Sequence, residues 1–265
     1  MQAQEKLALD PKLEVAASFG PYRPIGVSAT STNRLFVSFP KQNKDYRYAL
    51  TEIIDGKSTP YPNEDIFVDA QDNLWVLDSK PSTSGSIFGP DSTAPTGQFK
   101  LLKIDTKNNQ IARIYTFDDL DKAKSGLNDV RIDLEKNLAY LSDPGQAAII
   151  VLDLQSGNSR KVLEKSSFTL ADPEVVISYS GIDMRYKDGK PFLSHVNGIA
   201  LSHDFNYFYF KPINKKHLYR IATKYLADDT LSQSALQGKV EDMGNVGVTH
   251  GLLADRNVQM DKFIY

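Results

Sequence analysis

Four stretches of this chain repeat one pattern. Each has apolar residues in alternation, a polar turn containing Asn, and a second strand carrying an aromatic residue: VSATSTNRLFVSF (27–39), IFVDAQDNLWVLD (66–78), VRIDLEKNLAYLSD (130–143) and IALSHDFNYFYF (199–210). Alternation on both sides of a tight turn predicts a hairpin with one face buried. The aligned aromatics are Phe36, Trp75, Tyr140 and Tyr209, spaced by 39, 65 and 69 residues. A propeller blade takes about 40–50 residues, so the first spacing fits and the other two imply insertions. A second, outer motif follows the hairpins at KLLKIDTKNNQIARIYTF (100–117), AIIVLDLQSGNSRKVL (148–163) and HLYRIAT (217–223). Four strands per unit, repeated, predicts an all-β fold of the β-propeller type.

Charge and composition exclude more than they assign. A net charge of −2 gives no electrostatic case for nucleic acid, and no stretch reaches the apolar length of a membrane span. With no cysteine there is neither a disulfide framework nor a thiolate metal site. The start, MQAQEKLALDPKLEVAASF, lacks an apolar signal core, which fits a mature N-terminus with an added methionine or a cytoplasmic protein. The Ser/Thr/Pro/Gly-rich residues 80–97 predict a long inserted loop, read either as a mobile segment or as a lid over one channel mouth. A second insertion, 166–192, predicts a strand pair reaching across to the next blade, and 221–240 has room for a short helix. Trp75, the one tryptophan, is expected to pack between blades.

The segments RPIGVSATSTNRLFVSFP, TPYP, NLWVLD, LNDVRID, LAYLSD, IIVLDLQSGNSRKVL, NGIALSHDFNYFYFKPINKKHLYRI and VEDMG, in this order, resemble the yellow and major royal jelly protein family. The bacterial branch, called dopachrome-tautomerase-related proteins, is the nearest in pattern. The resemblance implies a six-bladed propeller, mostly secreted. It also implies a central channel that in insect members serves pigment chemistry and in some salivary members binds biogenic amines. Only four hairpins and the start of a fifth are legible, so about four to five blades are expected, as in a C-terminally truncated copy. On this reading residues 1–265 form a single, incomplete propeller domain, secreted or periplasmic.

The family is distantly similar to gluconolactonase-like propellers, which hold a divalent cation where inner strands begin. By that comparison Asn128 of LNDVRID and Asn197 of VNGIAL match two metal-ligand positions, His250 of THGLLAD stands where an Asp is expected, and the first position, around Ile25 to Val27, has no carboxylate. Calcium takes six to eight oxygens and gains most from carboxylates, so weak binding or none is expected of such a set. Without metal, the same cluster is a polar-floored cavity for a small molecule. Asp129 adds charge there or caps its own backbone. His250 is the candidate acid-base group, because imidazole is the side chain that ordinarily titrates nearest neutrality. His195 is expected to face the same channel mouth, and His203 and His217 to lie on the surface.

Three functions follow from these residues and the resemblance. The first is a channel that binds a small cyclic or aromatic metabolite, as an isomerase related to dopachrome tautomerase. The second is a metal-dependent lactone hydrolase, and the third a non-catalytic secreted binding module. None involves nucleic acid or a membrane.

Overall fold

A computed structural model describes residues 15–20, 22, 24–39, 50–61, 66–68, 71, 73–79, 99–179 and 181–254. The candidate loop 80–97 and the last eleven residues lie outside this set. Among the described residues the strands form four four-stranded antiparallel sheets, each built in sequence order. The first holds β1 (Gly26–Ala29), β2 (Leu35–Ser38), β3 (Leu50–Ile54) and β4 (Lys57–Tyr61), and the second β5 (Ile66–Val68), β6 (Asn73–Asp78), β7 (Lys100–Asp105) and β8 (Gln110–Tyr115). The third is β9 (Asp129–Asp133), β10 (Leu138–Asp143), β11 (Ala148–Asp153) and β12 (Ser159–Val162). A small hairpin, β13 (Ser178–Tyr179) and β14 (Ile182–Asp183), precedes the fourth sheet of β15 (Val196–Leu201), β16 (Tyr207–Pro212), β17 (His217–Ala222) and β18 (Glu241–Asn245). Two short helices, α1 (Thr223–Ala227) and α2 (Gln233–Gln237), join β17 to β18, where the sequence suggested one. Adjacent sheets approach through their first strands, β1 beside β5 and β9 beside β15, so these strands line the axis of a β-propeller with four blades among the described residues.

The turn inside the first, third and fourth repeats has a shared cause. At the end of an inner strand a short polar side chain caps the turn: Thr30 Oγ1 accepts from the Arg34 amide at 3.1 Å, Asp133 Oδ1 from Lys136 at 2.9 Å, and Ser202 Oγ from Tyr207 at 2.9 Å. The chain then needs one residue in the left-handed region, which Asn tolerates better than most. Asn33 (φ 63°) and Asn137 (φ 55°) fill that role, but in the fourth repeat it falls on Phe205 (φ 55°), one residue before Asn206.

The aligned aromatics do one job four times. Phe36 packs into the second blade with Leu74, Val76 and Ile104, and Trp75 into the third with Leu127, Val130 and Ile132. Tyr140 packs into the fourth blade with Ile199 and Phe208, and Tyr209 against Leu252 in the segment after β18. Because side chains alternate across a strand, one register position repeated in every blade sends its ring into the next interface each time. Basic side chains tie the outer rims: Arg113 donates to the Leu154 and Gln155 carbonyls of the next blade at 2.6 and 2.9 Å, and Arg160 to those of Leu226 and Asp228.

Candidate functional site

Strand direction gathers the candidate residues at one end of the propeller. The starts of the inner strands β9 and β15 share that end with the finishes of β10 and β16. The connection from β12 to β15 opens there too, so the insertion at 166–192 lies on the same end. It contains the β13–β14 hairpin, extended by a bridge between Arg185 and Pro191, and it docks on the turn after β16. Buried Asn214 makes that joint: its Oδ1 accepts from the Ser194 amide at 2.7 Å, and its Nδ2 donates to the carbonyls of Val175 and Phe192 at 2.9 and 2.8 Å.

His195 belongs to this joint. Its Nδ1 accepts from the Ala171 amide at 2.9 Å, which puts the ring proton on Nε2, and burial lowers its pKa, so the ring is held neutral. His203 is exposed in a turn, and His217 lies on the surface with its Nδ1 2.8 Å from Asp242.

Asn128 is exposed where β9 begins, its amide donating to the Ser142 carbonyl at 3.0 Å. Asp129 Oδ1 accepts from the next amide, Val130, at 2.8 Å and from Arg131 Nη1 at 2.6 Å. The capping alternative is therefore realised, with an arginine added. Asn197 is 8% exposed and sits in a bulge of β15 between Val196 and Gly198. His250 is exposed, while its carbonyl lies over Gly198, where an added Cβ would stand 3.0 Å from that oxygen.

Sequence reasoning did not find the buried polar groups at this end. Ser142 Oγ, Asp143 Oδ2 and Thr249 Oγ1 are buried with no hydrogen-bond partner among the described residues. Asp143 is fully buried, and its other oxygen accepts from the amides of Gly126 (2.8 Å) and Gln146 (3.2 Å). A buried polar atom left unpaired costs about 1–3 kcal/mol, so such atoms mark places where a polar ligand gains most. The one signal in the sequence was the run Ser142-Asp143 closing a strand, where an apolar residue would continue it.

Lys211, paired across the sheet with Gly198, is fully buried, and its Nζ donates to the Lys215 carbonyl at 2.6 Å. Burial pulls its pKa down to about 8 from the ordinary 10.5. The folded pKa lies below the unfolded one, so between these values the unfolded chain binds more protons and stability rises with pH. Urea denaturation at pH 7.5 and 9.5 should show a gain of about 2 kcal/mol, and Lys211→Met should remove most of it. Equal slopes in both proteins would mean that the amine is not desolvated as its burial indicates.

The chemistry of the donor set argues against calcium. Asn128 and Asn197 supply neutral amides, and the Asp129 carboxylate is engaged by Arg131. No group of three or more His, Cys, Asp or Glu side chains among the described residues has the geometry to hold a metal ion. These residues do not fit a hard dication that prefers several carboxylates.

Among solved structures, hydrazine synthase from Kuenenia stuttgartiensis is 11% identical, with 88% of this chain and 66% of that one covered at a TM-score of 0.53, a likeness of fold alone. Virginiamycin B lyase from Staphylococcus aureus is 14% identical over 88% of this chain and 74% of that one, with a TM-score of 0.45. An auxiliary nutrient binding protein from Bacteroides thetaiotaomicron is 10% identical over 88% and 54%, with a TM-score of 0.48. No curated protein matches this chain. No helix among the described residues is long and apolar enough to cross a membrane. The sequence pattern of the major royal jelly protein family matches residues 63–258, three quarters of the chain and all of its second, third and fourth blades, and the protein belongs to that family.

Proposed function

We propose that this protein is a secreted propeller that binds a small cyclic or aromatic metabolite at the channel end where β9 and β15 begin, and that it isomerises its ligand as dopachrome tautomerase does. The observation that carries this reading is the set of unpartnered buried oxygens, Ser142 Oγ, Asp143 Oδ2 and Thr249 Oγ1, at the end that also bears Asn128, Asn197 and His250. Asn128 and Asn197 donate and accept hydrogen bonds to ring substituents. Asp129 and His195 border the site and hold its walls. His250, exposed and without a hydrogen-bond partner among the described residues, takes a proton from one ligand atom and returns it to another. Such a transfer is redox-neutral and needs no cofactor.

Thermal melts with dopamine and with dopachrome test the binding. Ligand at about 100 times its Kd stabilises the folded state by about 2.7 kcal/mol, and Asn197→Ala should erase most of that gain. No shift with either compound would overturn the reading. Millimolar calcium is expected to leave the melting temperature unchanged, and a calcium-dependent rise would favour a metal-dependent lactone hydrolase instead. If dopachrome binds but its absorbance decays no faster than in buffer, the protein is a binding module. If it is turned over, His250→Ala should slow the conversion about 100-fold or more while affinity persists.

A further inference from the structure

We propose that Arg131 is a positioning residue, a latch that holds residues 249–252, and with them Thr249 and His250, against the inner strands β9 and β15. Arg131 lies on β9, and its guanidinium is one-fifth exposed. Nη1 donates to Asp129 Oδ1 at 2.6 Å and to the Val130 carbonyl at 2.7 Å, and Nη2 reaches the Leu252 carbonyl at 3.3 Å, 121 residues along the chain. A guanidinium presents its donors in a fixed fork, so fastening one side on Asp129 aims the other.

Two further contacts seat the same segment. Gly198 leaves the space into which it settles: a Cβ there would meet the His250 carbonyl oxygen at 3.0 Å and Leu252 Cγ at 3.3 Å. Leu252 is buried with Ala200, Tyr209 and Leu218 on the face of the fourth blade that turns away from the third. Apolar burial fixes how deep the segment sits, but it is non-directional. The hydrogen bond from Arg131 sets how far the segment slides along β15, and hence where the neighbouring His250 projects. On this account Asp129 acts through Arg131 and does not touch the ligand, which also explains why an acid follows Asn128 at the strand start.

The latch rests on the proposed function only for the meaning of His250 as the proton-transfer group, so its test needs no ligand. The full chain, labelled with 13C-histidine, gives an imidazole cross-peak for each of its four histidines. In Arg131→Gln the His250 peak is expected to shift or broaden, while those of His203 and His217 keep their wild-type positions. Asp129→Asn should move the same peak in the same direction by less. Arg131→Lys, which still reaches a carbonyl, should bring it part of the way back. An unmoved His250 peak in both Arg131→Gln and Asp129→Asn overturns the latch, as does a uniform displacement of all four histidines in both, which would make the pair a general support of the fold. Wild-type protein that binds neither dopamine nor dopachrome would sink the proposed function and leave the latch to be judged by the His250 peak alone.

Discussion

Replacing Trp75 with alanine is expected to destabilise the protein by about 3–5 kcal/mol, a large share of the stability of a typical domain. Trp75 is 1% exposed in the interface between the second and third blades and stacks on Tyr115 with ring centroids 6.0 Å apart. Lys103, its cross-strand partner, places Nζ 5.5 Å from the ring centroid. Truncation removes the ring's transfer energy and leaves a cavity that two four-stranded sheets cannot close without sliding past one another. Trp75→Phe keeps an aromatic at the position and should cost about 1–2 kcal/mol. Urea denaturation followed by circular dichroism checks both, since the alanine variant has no tryptophan to report by fluorescence. A loss below about 1 kcal/mol for Trp75→Ala would mean that the interface is held elsewhere, by Leu77, Leu101 and their neighbours.

The four blades were legible because the information is local and repeated. Alternation fixes which face of each strand is buried, an aromatic at one register position fixes where that face looks, and a capped turn fixes the hairpin. The left-handed turn residue was legible as Asn at positions 33 and 137 but not at Phe205, where the turn slips by one residue and the geometry overrides side-chain preference. The candidate site was legible only in part. Asn128, Asn197 and His250 were picked out by the resemblance to gluconolactonase-like propellers, and Asn128 and Asn197 stand at the starts of strands that are otherwise largely apolar.

What completes the site is non-local. Arg131 finds a carbonyl 121 residues away, Gly198 is required by a segment 52 residues on, and Asp143 looks from sequence like any aspartate closing a strand although it is fully buried. His195 was expected to face the channel mouth beside Asn197, and what the sequence did not show is that its Nδ1 also accepts from the insertion that precedes it.

Gly145→Ala is expected to cost about 3 kcal/mol of stability and to weaken ligand binding with it. Gly145 follows the Asp143-Pro144 pair at the end of β10, and the chain at 124–126 runs directly over its Cα. A Cβ at that position would fall on the Lys124 carbonyl oxygen, well inside van der Waals contact. It would also lie 2.8 Å from the Gly126 nitrogen and 3.2 Å from Asp143 Oδ1. The first two are backbone atoms and cannot rotate away, so the segment itself must lift. Lifting it breaks the 2.8 Å bond from the Gly126 amide to Asp143 and strips a fully buried carboxylate of a donor. Overpacking of this kind costs about 1–3 kcal/mol, and the lost bond to a charged group about 1.5–3 more, part of it recovered by relaxation. Asn128 stands two residues beyond Gly126, so the displacement reaches the start of β9 and the ligand contact proposed there. Gly198→Ala is the natural comparison, since its nearest obstruction is the His250 carbonyl oxygen at 3.0 Å, in a segment able to yield by a few tenths of an ångström. It should cost about 1 kcal/mol and displace His250 while leaving Asn128 in place. If denaturation instead gives the two variants equal losses, the 124–126 segment is as free to move as residues 250–252, and Asp143 is then covered by a strap that opens easily, with its carboxylate within reach of solvent.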